Sequence, residues 1–194
     1  MLIIIRHGQT NWNAVGRFQG NMDIPLNETG CGQARRNGME IKAYLEHYDL
    51  DVAQFDFVCS PLSRTRQTMA LVREELGLAP IGVRFDDRLK EISFGVAEGK
   101  TMAEIERDLP EVYSSRQADK WGYQMPGGES YAMVRERVAD WLKSLRPHVI
   151  VVTHGGTGRV IRGELMDLPT GEIPQMETPQ DKFYLWHDNQ GAWL

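Results

Sequence analysis

Two histidines in this chain stand where a short apolar run gives way to glycine. His7 follows Leu2–Ile5 in Arg6-His7-Gly8-Gln9-Thr10, and His154 follows His148–Thr153 in Thr153-His154-Gly155-Gly156. A histidine beside a flexible glycine can present a ring nitrogen to a ligand. At His154 the turn leads into a helix, whose free N–H groups and positive dipole end suit an anion. A third cluster is Ser60-Pro61-Leu62-Ser63-Arg64-Thr65-Arg66-Gln67-Thr68. Arg64 falls in the first turn of the helix that Pro61 introduces, where a guanidinium can fork onto phosphate oxygens. Arg66, two residues on, points elsewhere and suits a solvated face. A fourth cluster, Leu89-Lys90-Glu91-Ile92-Ser93-Phe94-Gly95, sets a carboxylate in a loop among apolar neighbours, a setting for a general acid. Singly, each has a plain structural explanation: a hydrogen-bonded histidine, a tight turn, a surface carboxylate.

The elements that must position these groups can be read from hydropathy. Leu2–Ile5, Phe55–Cys59, Ile81–Phe85 and His148–Thr153 are short apolar runs of the kind buried on both faces of a sheet. Helices are expected from Asn27 or Thr29 to Tyr48, over Leu62–Leu76, Met102–Leu109, Glu111–Lys120, Glu129–Leu145 and Thr157–Leu168. Residues 13–27 and 86–100 read as loops, and a terminal hairpin of Phe183–His187 and Ala192–Leu194 closes over residues 188–191. Strands alternating with helices predict an α/β fold, a three-layer α/β/α sandwich on a mainly parallel sheet. Ligands of such sheets bind beyond the carboxyl ends of the strands, which is where His7, Ser60 and His154 fall.

Composition narrows the function. The chain has 194 residues, 41% hydrophobic and 25% charged, which fits one globular domain over 1–194. Cys31 and Cys59 make no C-x-x-C, and no H-E-x-x-H occurs, so neither a disulfide framework nor a zinc site is expected. A net charge of −5 disfavours a nucleic-acid binder acting through a bulk positive field. Met1–Ile5 is too short for a signal or a membrane span, so a cytoplasmic protein without membrane partners is expected. Gly95-Val96-Ala97-Glu98-Gly99-Lys100-Thr101 spaces its glycines by three residues where a phosphate-cradling P-loop needs four, and Gly155-Gly156-Thr157-Gly158 fails the dinucleotide spacing.

Together and in order, the four clusters resemble the histidine phosphatase superfamily, also called phosphoglycerate mutase-like. Arg17-Phe18-Gln19-Gly20, Asp23-Ile24-Pro25-Leu26 and Pro126-Gly127-Gly128-Glu129-Ser130 extend the match. The resemblance implies that His7 is a nucleophile that becomes phosphohistidine. It implies that Arg6, Arg64 and His154 bind the transferred phosphoryl group and that Glu91 gives a proton to the leaving group. Asn13, Gln19, Gly20 and the N–H of Gly155 would line the pocket, with a lid at about residues 100–126 in which Tyr113, Lys120, Trp121 and Tyr123 meet the leaving group or pack beneath it. No metal and no cofactor are implied. Neutral imidazole, with a pKa of about 6.5, is nucleophilic near pH 7. A cation about 4 Å from a phosphoryl oxygen contributes about 4 kcal/mol at an effective dielectric of 20, enough for arginines to take the place of a metal ion.

The superfamily contains phosphatases and mutases. Mutases carry adjacent arginines in an insertion, whereas residues 99–126 here hold only Arg107 and Arg116. Phe94 stands where mutases have a tyrosine, Met102 where they have a lysine, and Gly156 where they have an asparagine. The resemblance therefore implies a histidine acid-type phosphatase, a hydrolase of a small phosphorylated metabolite. A cofactor-dependent mutase and a non-catalytic phosphate-ligand binder stand as alternatives. Thr65 and Ala97, replacing a usual alanine and a common aromatic, touch substrate identity and not the phosphoryl chemistry. Oligomeric state is open, a homodimer through sheet edges or exposed helices being one outcome.

Overall fold

Every side chain of Leu2, Ile3, Ile4 and Ile5 is buried, as is every residue from Val149 to Thr153. Strands apolar on both faces need a cover on each, and that requirement organises the molecule. The computed structural model describes residues 1–79 and 81–194. Strand β1 (Leu2–Arg6) lies parallel to β4 (Val149–Thr153), which lies parallel to β2 (Asp56–Cys59), with β3 (Val83–Phe85) parallel at the edge. β5 (Phe183–His187) runs antiparallel to β1, and β6 (Gln190–Trp193) pairs with β5, giving the order β3-β2-β4-β1-β5-β6.

Alternation along the strands sorts the core into two layers. Leu2, Ile4, Val58, Val149 and Val151 face helices α6 (Tyr131–Lys143) and α7 (Gly155–Leu165), meeting Val134, Val138, Trp141, Val160 and Ile161. Ile3, Ile5, Phe57, Cys59, Ile150 and Val152 face α2 (Glu28–His47) and α3 (Ser63–Glu75), meeting Ile41, Leu45, Met69 and Val72. Each wholly buried isoleucine or valine contributes roughly 1.5–3 kcal/mol of transfer free energy. The result is the expected three-layer sandwich on a mainly parallel sheet. No helix among the described residues is long and apolar enough to cross a membrane.

Short helices fill the loops. Thr10 caps α1 (Asn11–Ala14), accepting from the Asn13 N–H at 3.1 Å. Between β3 and α6 come α4 (Met102–Asp108) and α5 (Pro110–Ala118), opened by a Thr101–Glu104 capping box and by Pro110. α7 runs Gly155–Leu165 and not Thr157–Leu168; it starts earlier because extended His154 is its N-cap and both glycines are helical. The terminal hairpin turns on Asp188 and Asn189, both with positive φ, so its tight two-residue turn lets β6 start at Gln190. β3 begins at Val83, just after Gly82, whose φ is +84°.

Candidate active site

The β1–β4 register pairs Arg6 with Thr153, so the next residues, His7 and His154, leave the sheet side by side. Their ring centroids are 5.1 Å apart with planes at 63°. The N–H of His7 donates to the Thr153 carbonyl at 2.9 Å, continuing the ladder one step beyond the strand. Gly8 then meets the backbone of Gly30 so closely that a Cβ has no room.

His7 is 2% exposed, and its Nδ1 lies 2.7 Å from the Gly8 carbonyl. A carbonyl only accepts, so Nδ1 carries the hydrogen and, in the neutral ring, Nε2 keeps its lone pair. Burial, then Arg64 and Arg6, hold the His7 pKa well below 6.5; the Gly8 hydrogen bond opposes them weakly. His154 is wholly buried, with Nε2 2.8 Å from Ser60 Oγ. Burial, Arg64 and His7 likewise push its pKa well below 6.5. Both rings are thus neutral at pH 7.

The two arginines are tethered by backbone carbonyls and not by acids. Arg64, wholly buried, donates from Nη1 to Met22 O and from Nη2 to Gly20 O, both at 2.7 Å. Arg6 donates from Nη1 to Thr178 O at 2.7 Å. Burial lowers the Arg6 pKa to about 10, with Glu91 opposing it, and the guanidinium stays charged at neutral pH. Arg6 Nε, Arg64 Nε and His154 Nδ1 are buried without a hydrogen-bond partner among the described residues. Orphaned polar atoms of this kind are costly in a finished core and are retained at functional sites.

Glu91 sits at the start of α7. Its carboxylate accepts N–H groups from Ile92 at 3.0 Å, Gly156 at 3.1 Å and Thr157 at 3.1 Å. The Thr157 hydroxyl donates to Lys90 O at 2.6 Å and the Thr153 hydroxyl to Leu89 O at 2.9 Å, pinning the loop that carries it. A Cβ on Gly156 would lie 2.6 Å from Glu91 Oε1, so glycine is what lets the carboxylate reach the helix end.

Arg6, His7, Asn13, Gln19, Gly20, Arg64, Glu91 and Gly155 line one cavity of about 380 Å³. Of the side chains expected in the site, His154 alone is not on its wall; it lies behind His7, with no exposed surface. The lid residues do not reach the cavity. Trp121 stacks on Tyr131 at 6.1 Å, Tyr113 and Tyr123 pack on Ala97, Ile105 and Met125, and Lys120 Nζ donates to Pro174 O at 3.0 Å. Among the described residues no group of three His, Cys, Asp or Glu side chains is placed to hold a metal ion.

Several residues that carry no recognisable motif role complete the site. Ser60 pairs with His154; it stood in the third cluster, but only the fold shows that partnership. Gln180 Nε2 donates to His7 O at 3.0 Å and to Asn13 Oδ1 at 3.2 Å, and no motif marks it. Arg159 and Tyr131 also line the cavity. Arg159 follows Gly155 by four residues and so shares its helix face, a signal masked by starting the helix at Thr157.

Comparison with known proteins agrees with this geometry. The chain is 34% identical over 158 residues to phosphoserine phosphatase 1 of Hydrogenobacter thermophilus, covering 79% of this chain and 70% of that one. It is 32% identical over 184 residues to the 2,3-bisphosphoglycerate-dependent phosphoglycerate mutase of Parvibaculum lavamentivorans, covering 89% and 83%. Among solved structures, the mycobacterial glucosyl-3-phosphoglycerate phosphatase superposes with a TM-score of 0.76 at 27% identity, covering 99% of this chain and 96% of that one. Phosphatases and mutases both stand among its relatives. Over residues 2–193, then, the chain matches the model of the histidine phosphatase superfamily (branch 1), and it belongs to that family.

Proposed function

We propose that the protein is a metal-independent phosphomonoester hydrolase that acts on a small phosphorylated metabolite through phosphohistidine. The observation that carries this is the tautomer of His7: Nδ1–H is spent on the Gly8 carbonyl, and the neutral ring keeps its Nε2 lone pair beside Arg6 and Arg64. Nε2 attacks phosphorus and the ester oxygen departs, taking a proton from Glu91. Charge spread over the equatorial oxygens is met by Arg6 and Arg64, while His154, neutral and packed edge-on against His7, steadies that ring from the buried side. Water then attacks the phosphohistidine, Glu91 takes its proton, and orthophosphate leaves with His7 restored. The segment 100–126, carrying α4 and α5, backs the cavity wall through Arg116 on Phe18 and Trp121 on Tyr131, the position from which we propose it serves as a lid.

The phosphoserine phosphatase and glucosyl-3-phosphoglycerate phosphatase relatives support hydrolysis, as do Phe94, Met102 and Gly156 in place of the mutase side chains. The mutase relative keeps phosphoryl transfer between two hydroxyls as the second reading. One assay separates them. Phosphate release from p-nitrophenyl phosphate in excess EDTA should proceed, and His7→Ala should reduce it to background. Glu91→Gln should slow an alkyl phosphate by roughly 10²–10⁴-fold, and the nitrophenyl ester far less, because nitrophenolate leaves without a proton. Loss of turnover in EDTA, or equal slowing of both esters, contradicts the mechanism; phosphoryl transfer without net release supports the mutase.

A further inference from the structure

Residues 95–101, whose glycine spacing excludes a phosphate-cradling loop, serve the fold in another way. They zip onto residues 17–21. The Phe18 N–H donates to Lys100 O at 2.9 Å, the Gly99 N–H donates to Phe18 O at 2.8 Å, and Arg17 pairs with Thr101 in an antiparallel bridge. One carboxylate ends this clasp. Glu98 Oε1 accepts the N–H of Asn21 at 3.1 Å, the N–H of Phe94 at 3.1 Å and the Ser93 hydroxyl at 3.2 Å. Gly20, with φ +51°, lies so near that a Cβ on it would overlap the same oxygen.

The two loops that Glu98 joins differ in how firmly they are held. The Ser93 N–H donates to Glu129 Oε2 at 2.9 Å, the Glu129 N–H donates to Ser93 O at 2.8 Å, and Arg137 Nε holds Glu129 Oε1 at 3.1 Å. With the threonine hydroxyls on Leu89 O and Lys90 O, this makes residues 89–94 a fixed base. Residues 21–23, by contrast, are exposed. Yet Gly20 and Met22 supply the two carbonyls that grip Arg64. A guanidinium has five N–H donors, so two spent on carbonyls leave three for a phosphoryl group. The aim of a buried arginine is thus set by an exposed loop, and such a loop keeps its place only through its attachments. One attachment is Asp23 Oδ1, which accepts the Ser63 N–H at 2.7 Å; the other is Glu98. As a bare charge Glu98 would work against the site. It lies within electrostatic reach of Arg64, where a carboxylate opposes an incoming dianion.

We propose that Glu98 is a positioning residue: by clasping Gly20 and Asn21 to the Ser93–Phe94 turn, it fixes the carbonyls that aim Arg64 at the phosphoryl group. Glu98 is not on the cavity wall and acts through Arg64. The inference rests on the proposed function for placing a phosphoryl group beside that arginine.

Calorimetric titration of the protein with orthophosphate tests it without turnover. Glu98→Ala should weaken binding roughly fivefold or more, although it removes a charge that repels phosphate. Glu98→Gln keeps an oxygen for the same three donors and loses the charge, so affinity should hold or rise. Glu98→Asp keeps the charge but is one methylene short, and it should weaken binding; it replaces the alanine variant if that one does not fold. Arg64→Lys cannot span both carbonyls. In that background Glu98→Ala should change affinity by less than about twofold, whereas a merely structural role would add its full penalty to that of Arg64→Lys. Affinity that is unchanged or tighter in Glu98→Ala, a glutamine variant as weak as the alanine one, or losses that add in the double variant overturns the proposal. The expected pattern in a protein that hydrolyses no ester keeps the clasp and removes the phosphatase assignment. A native protein that binds no orthophosphate overturns both.

Discussion

His7 and His154 give the site a pH signature that belongs to single side chains. Burial first, and the neighbouring arginines after it, keep both rings neutral below their ordinary range. In the unfolded chain the same rings take up protons as the pH drops through about 6.5. The unfolded state therefore binds more protons than the folded state in that window, and stability falls as pH falls, from near 7.5 down to the depressed folded values. Above that window these rings contribute no slope. Thermal melts from pH 8 to pH 5 should show Tm declining on the acid side; a Tm that holds or rises toward pH 5 contradicts neutral burial. At this scale most of the cavity was legible. Arg6, His7, Arg64 and Glu91 sit in short segments whose order is informative, and they line one wall with Asn13, Gln19, Gly20 and Gly155. Gln180 and Thr178 were not legible, because they act by reaching backbone and side-chain groups more than 160 positions away, which leaves no local pattern.

Among the elements, the start of α7 decides most. His154 caps it, Gly155 and Gly156 form its first turn, and its N–H groups hold Glu91. Gly156→Ala would place a methyl 2.6 Å from Glu91 Oε1 and 2.7 Å from Ile92 Cγ2. Helix propensity alone would favour alanine by about 1 kcal/mol, so the steric term can be separated from it. Expected is a loss of kcat of at least tenfold on a poor leaving group, a smaller loss on the nitrophenyl ester, and little fall in Tm. Unchanged kcat on both esters would mean that Glu91 is not positioned by this contact. The inner strands were legible because β1 and β4 are apolar on both faces. The helix start was not, since glycine pairs signal turns and only the close approach of a carboxylate explains them inside a helix.

Over the whole molecule, charge is distributed against the average. The chain carries −5 in total, yet the candidate active-site cavity gathers four guanidinium groups around one carboxylate. Local charges in a walled cleft outweigh distant ones, which are screened beyond about 8 Å at physiological salt. For an aryl phosphate, KM should therefore rise a few-fold with added salt while kcat changes little; a KM that falls with salt would show that the net negative charge governs encounter.

β1 lies between β4 and β5, so its nearest sheet partners, beginning at Val149 and Phe183, are encoded far downstream. On a ribosome adding roughly 5–20 residues per second, β1 waits on the order of ten seconds or more for either of its sheet neighbours. β1 therefore depends on segments encoded far downstream, and the cavity is complete only once Thr178 and Gln180 have been added. Synthesis speed and chaperone supply should govern the yield of folded protein, through the delay before β1 finds its neighbours.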